Sequence, residues 1–145
     1  ATHIAYDIGA AAVTRALAPA YGAAAVLGAW SRLLIDLNRG EDDPTLVTKL
    51  SDGCIIAANR TADAAETARR VAAYHAPYHR AIAQEIMRIQ DGGAVPVLLS
   101  LHSFTPAWKG ANRPWQVGVL WDRDGRLAKP LMARLAEAGL VMRCA

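Results

Sequence analysis

Between Val95 and Asp122 the chain reads VPVLLSLHSFTPAWKGANRPWQVGVLWD, and no other stretch restricts its fold as strongly. Val95, Val97, Leu98, Leu99 and Leu101 form a nearly unbroken apolar run with only Pro96 and Ser100 inside it. A run without polar alternation predicts a strand buried on both faces, as at the centre of a parallel sheet. His102 then stands at the carboxyl end of that strand, the edge that borders the ligand crevice in open α/β sheets. A histidine there is placed to meet a metal or a substrate. A second strand is predicted over Val117 to Trp121, ending in charge at Asp122. The loop between them carries Lys109, Gly110, Asn112 and Arg113, with Trp108 and Trp115 on either side. That cationic, aromatic-framed setting suits an anion.

The 145 residues fit one α/β domain spanning 1–145, which buries roughly two-thirds of the surface its extended chain exposes. No apolar stretch approaches the roughly 20 residues of a spanning helix, so no membrane partner is expected and the default location is the cytoplasm. The formal charge is +3, with sixteen Lys and Arg scattered among thirteen Asp and Glu. Without a basic block interleaved with aromatics, no nucleic-acid partner is expected either. Cys54 and Cys144 lack metal-ligand spacing and read as reduced thiols.

Apolar positions at three- and four-residue spacing predict a helix over His3 to Tyr21, ended by Pro19 and Gly22. Ala23 to Gly28 and Ser31 to Leu37 read as short strands, the second closing on Asp36-Leu37-Asn38-Arg39. From Gly40 to Arg60 no period is sustained, which predicts a long loop with at most one short strand at Cys54 to Ile56. Thr61 caps a long helix with the stripe Val71, Tyr74, Tyr78, Ile82, Ile86 and Ile89. Pro77 should kink or divide it. A last helix is predicted over Leu127 to Ala138 with Gly139 closing it, and a final strand over Leu140 to Met142. This order argues an α/β fold with a mixed, partly parallel sheet flanked by helices.

Three groups of residues have chemistry to offer. His102, followed by Ser103, is either a metal ligand or a hydrogen-bonded structural residue. Ser103 lacks the surroundings of a nucleophile elbow. Asn38-Arg39, with Arg32 and Arg113, present guanidinium forks that suit bidentate recognition of an acidic substrate. The alternative is that Arg39 pairs with Glu41, Asp42 or Asp43 and orders its own loop. His75 and His79 share a helical face, but Pro77 lies between them and no Glu follows His75 as in a zinc-protease helix. They read as flanking a packed kink.

In order along the chain stand Asp7-Ile8-Gly9-Ala10 preceded by His3-Ile4-Ala5, Ser31-Arg32-Leu33 with Asp36-Leu37-Asn38-Arg39, Asp42-Asp43-Pro44 and Ser51-Asp52-Gly53. They are followed by Tyr74 with Pro77-Tyr78-His79, Ser100-Leu101-His102-Ser103-Phe104, Arg113-Pro114-Trp115 and Asp122-Arg123-Asp124. Over nearly the whole chain this series resembles the N-formylglutamate amidohydrolase family. The resemblance implies a zinc-carboxypeptidase-like fold, with Asn38-Arg39 receiving a substrate carboxylate and His102 binding zinc or another divalent metal. It implies metal-assisted hydrolysis of an amide on an acidic amino acid, for instance N-formyl-L-glutamate to formate and glutamate.

The family's other metal ligands belong to a His-containing motif expected upstream of Ala1, and its catalytic acid to a Glu-containing strand expected downstream of Ala145. No catalytic residue is therefore visible in this chain, and the fold is expected to be truncated at both ends. With one of the usual three ligands, these 145 residues alone should bind zinc poorly. The alternative function is a non-catalytic module that binds a small carboxylate. A third reading is self-association through an exposed sheet edge.

Overall fold

The computed structural model describes residues 4–51, 53–108 and 110–144. His3, Asp52 and Lys109, which enter the motifs and the cationic loop above, lie outside the described residues, as does the side chain of Trp108. The chain divides into two compact units, one ending at Phe104 and one beginning at Thr105. Together they give an α/β protein with small sheets.

In the first unit, Gly9 adopts φ 82°, a left-handed conformation that strains any residue with a Cβ. It separates the turn at Ile4–Ile8 from helix α1, Ala10–Ala20. The predicted helix from His3 is therefore shortened at its start, and Asp7 sits in the turn before it. Gly22 (φ 58°) ends the segment as expected.

No strand forms over Ala23–Gly28 or Ser31–Leu37 among the described residues. A strand's carbonyls need donors from a neighbouring strand, but here side chains take them. Asn59 Nδ2 donates to Leu33 O and Arg70 Nη1 to Leu34 O, each at 2.7 Å. Asp36 then bends the chain, its Oδ1 accepting the Asn38 N–H at 3.0 Å. Such side-chain bonds to nearby backbone compete with a ladder.

The loop after Gly40 contains a hairpin of β1, Leu50–Ser51, and β2, Cys54–Ile55, and then a 3-10 turn, Ala57–Asn59. Helix α2, Ala64–Arg70, is capped by Asp63, which accepts the Glu66 N–H at 2.9 Å. The cap is thus two residues beyond the predicted Thr61. A π turn, Val71–His75, leads into α3, Ala76–Asp91. Pro77 has no N–H to return to the preceding turn, and its ring crowds that turn. The wider winding before it absorbs the misfit without breaking the helix.

The core of this unit is Ile35, Leu46 and Val47, with Leu37, Ala62, Val71 and Tyr74 packed against it. Tyr74 also meets Trp30, with ring centroids 5.0 Å apart. Beside these lies a buried polar node. Asn59, 1% exposed, donates to Leu33 O and Thr48 O and accepts from Arg70 Nη1 at 2.7 Å. Arg70 Nε in turn donates to Glu66 Oε1 at 2.8 Å. Arg69 first, and Arg70 second, hold the Glu66 carboxyl down to about 2.

That depression fixes a sign. A carboxyl lowered in the folded protein contributes stability above its unfolded pKa, and the contribution is lost as pH falls through the folded value. For Glu66 the window runs from about 4.5 down to about 2. Acid titration followed by amide hydrogen exchange in α2 should show protection declining across it, and Glu66→Gln should flatten that part of the curve. An unchanged curve in the variant would show that other carboxyls control acid unfolding.

In the second unit, β3, Ala107–Trp108, and β4, Ala111–Asn112, form an antiparallel hairpin whose turn uses Gly110 at φ 80°. β5, Val117–Val119, pairs in parallel with β6, Met142–Cys144, and α4, Ala128–Glu137, joins them. Parallel partners need such a crossover. Gly139 (φ 77°) follows α4 as predicted, and the final strand falls slightly later than expected.

The predicted single mixed sheet is corrected. The described residues form three two-stranded sheets, two antiparallel and one parallel. The predicted central strand is corrected too. Residues 94–105 have no strand partner among the described residues. Val95, Val97 and Leu98 are about 70% exposed rather than buried on both faces. An apolar run says what a segment would bury, while pairing requires a neighbour, and Pro96 removes one ladder donor of its own. Among the described residues no helix is long and apolar enough to cross a membrane.

Candidate functional site

Four of the five predicted site residues, His102, Arg32, Asn38 and Arg39, lie in the first unit. Three of them belong to one polar chain. Ser100 Oγ and His102 Nε2 are 3.0 Å apart, and His102 Nδ1 lies 2.7 Å from Asp7 Oδ2. The other oxygen of Asp7 is 3.7 Å from Arg32 Nη1, and Arg32 Nη2 donates to Asp36 Oδ2 at 2.8 Å. Asp36 is also 3.9 Å from Arg39 Nε, and Arg39 Nη1 is 3.6 Å from Asp43 Oδ2. Positive and negative groups alternate along it, so each charge has an opposite neighbour.

The two arginines are not equivalent. Arg32 commits a donor to the buried Asp36 at hydrogen-bond distance. Arg39 stands at 3.6 and 3.9 Å from its acids, beyond hydrogen-bond distance, with 46% of its side chain exposed. Its planar fork therefore keeps donors for an incoming carboxylate. The loop-ordering alternative is also present, because Asp43 faces it. Bonds from the Thr45 side chain and backbone, and then the charge of Arg39, hold Asp43 below the usual carboxylate range.

The π turn and helix α3 fix this loop through two imidazoles. His75 Nε2 lies 2.9 Å from Arg39 O, and His79 Nε2 lies 3.1 Å from Leu37 O. A carbonyl only accepts, so both rings carry their proton on Nε2. The histidines clamp the backbone on either side of Asn38, with their rings 4.2 Å apart. The helical spacing was legible, but its use as a loop clamp depends on the π turn that carries His75 into the interior. His75→Ala should cost about 1–3 kcal/mol, by leaving a half-buried carbonyl without its donor. The exposed His79→Ala should cost less. Hydrogen exchange at residues 37–40 checks both, and slower exchange in either variant would contradict the clamp.

His102 is exposed and stands in a segment without regular secondary structure rather than at a strand end. Among the described residues no group of three His, Cys, Asp or Glu is arranged to hold a metal. The donor chemistry of His102 does fit one position of such a site. Asp7 engages Nδ1 and the Ser100 hydroxyl meets Nε2, so a metal would take Nε2 in place of that hydroxyl, with Asp7 as the carboxylate support typical of metal-binding histidines. Arg113 lies in the second unit, where its guanidinium carbon is 5.9 Å from the Trp115 ring centroid. Arg143 covers the same ring at 5.1 Å.

Sequence reasoning gave no role to Asp7, Ser100 or Asp36. Ser100 and His102 are two apart in sequence, the spacing that puts side chains on one side of any extended chain. Asp36 opens the tetrad that contains Asn38-Arg39. Asp7 lies 95 positions from His102, so only the fold brings it there.

The chain matches the family model described as N-formylglutamate amidohydrolase over residues 1–144. It is also similar to the crystal structure of gene product Atu2144 from Agrobacterium tumefaciens, with 33% identity and a TM-score of 0.90. That alignment covers 99% of this chain and 57% of the other, so this chain spans little more than half the length of that structure. Comparison with curated proteins gives no match.

Proposed function

Because this chain belongs to the N-formylglutamate amidohydrolase family, we propose that it serves metal-assisted hydrolysis of an N-acyl acidic amino acid. N-formyl-L-glutamate, yielding formate and glutamate, is the substrate of choice, and a zinc-carboxypeptidase-like arrangement is the proposed setting. The observation that carries this reading is the continuous polar chain from His102 through Asp7, Arg32 and Asp36 to Arg39. It links the His102 imidazole to the Arg39 guanidinium, whose fork keeps donors for a ligand.

In this reading Arg39, seconded by Asn38, receives a carboxylate of the substrate, and Arg32 holds Asp36 in place beneath it. His102 supplies one donor to zinc or another divalent cation. The chemistry such a cation supplies when bound is polarisation of the amide carbonyl and activation of water at neutral pH. The substrate partner is thus a small acidic molecule.

Formate release by the protein as encoded, before and after chelation, tests the reaction. Turnover abolished by the chelator and restored by zinc is expected. Turnover indifferent to chelation would remove the metal from the proposal, and stoichiometric glutamate binding without turnover would favour a carboxylate-binding module. Arg39→Ala should raise KM for N-formylglutamate about 30- to 150-fold, as a lost bidentate contact of about 2–3 kcal/mol implies. A substrate lacking the side-chain carboxylate and one lacking the α-carboxylate identify which group the fork receives. Equal KM changes for every substrate would contradict an arginine clamp.

A further inference from the structure

From the geometry of Asp7 we infer that this residue is a positioning residue which holds His102 in its Nδ1–H tautomer and thereby presents the Nε2 lone pair to the site. The inference rests on the proposed use of His102 and adds a residue and a protonation state to it. Asp7 Oδ2 is 2.7 Å from His102 Nδ1. An ionised carboxylate can only accept, so Nδ1 must donate. In the neutral ring Nε2 is then an acceptor, and the Ser100 hydroxyl at 3.0 Å donates to it.

Asp7 is held for this task from its other side. Its second oxygen faces Arg32 at 3.7 Å, and Arg32 is anchored on the buried Asp36. The turn that Gly9 separates from α1 carries the carboxylate to the ring. His75 and His79, which face backbone carbonyls, have the opposite tautomer, with the proton on Nε2. One molecule thus holds both forms, each dictated by its neighbour.

Nitrogen–proton correlation spectra of ring-labelled histidines test this directly. The spectra are recorded at about pH 9, well above the ordinary imidazole pKa of about 6.5. His102, assigned by its disappearance in His102→Ala, should carry its proton on Nδ1, while His75 and His79 carry theirs on Nε2. Asp7→Ala should move the His102 proton to Nε2. Asp7→Asn, whose amide oxygen still accepts, should keep it on Nδ1. Arg32→Met, which removes the anchor but not the acceptor, should also keep it there.

A wild-type His102 protonated on Nε2, or an Asp7→Ala variant still protonated on Nδ1, overturns the inference. The wild-type spectrum decides even if Asp7→Ala does not fold. Zinc titrated into the protein as encoded gives a second readout, with affinity expected to fall about 10- to 100-fold in Asp7→Ala. Unchanged affinity would overturn the positioning role. A wild type that binds no zinc would instead defeat the metal reading and leave the tautomer result to decide on Asp7.

Discussion

Arg70→Ala should destabilise the first unit by about 3–5 kcal/mol, the cost of removing one partner from a buried charged network. The guanidinium is 5% exposed as a residue and bonds Leu34 O, Asn59 Oδ1 and Glu66 Oε1 at 2.7–2.8 Å. Its loss takes this donor from the part-buried Leu34 carbonyl and the buried Asn59 amide oxygen. A typical domain has only about 5–15 kcal/mol in total, so much of the protein should be unfolded at mild denaturant. With a urea slope of about 2 kcal/mol per molar, the midpoint for α2 and α3 should fall by about 2 M. Arg70→Lys should recover only part of this, because one ammonium cannot span all three acceptors. Asn59→Ala should act on the same network, so the double variant should cost less than the sum of the two. A loss below about 1 kcal/mol in Arg70→Ala would show that the node is not what holds Ser31–Leu37 against the helix.

The same node explains why parts of the fold were legible in the sequence and others were not. Helices announce themselves through local period: α4 falls within one residue of its predicted bounds, and α3 carries the second half of the long helix predicted after Thr61. Gly139 and Pro77 were also readable, because their effects are set by the backbone of a single residue. Ser31–Leu37 was misread as a strand because its apolar content resembles one, while Asn59 and Arg70, which take its carbonyls, lie 26 and 36 residues away from their acceptors. Val95–Leu101 reads as a buried strand for a related reason. Composition records an appetite for burial, and only a neighbouring strand can satisfy it. The site followed the same division. His102 and the Asn38-Arg39 pair stand in local motifs, whereas Asp7 and the histidine clamp are products of tertiary approach.

His102→Ala should do the reverse of Arg70→Ala, lowering formate release about 10²- to 10⁴-fold while leaving the fold nearly intact. The activity range is that expected when a group at the reacting centre is removed. The stability expectation follows from exposure. The imidazole side chain is 46% exposed, and its bonds to Asp7 and Ser100 lie at the surface. Exposed pairs of this kind contribute about 0–1 kcal/mol. Asp7 keeps its Arg32 neighbour when the ring is gone, so no buried charge is stranded. Circular dichroism and urea unfolding, run beside the formate assay on the protein as encoded, separate the two effects. A residue kept for packing loses stability and activity together. A residue kept for chemistry loses activity alone, and that is the outcome expected here. His102→Ala with more than a tenth of wild-type formate release, or with a stability loss approaching that of Arg70→Ala, would remove His102 from the reacting centre.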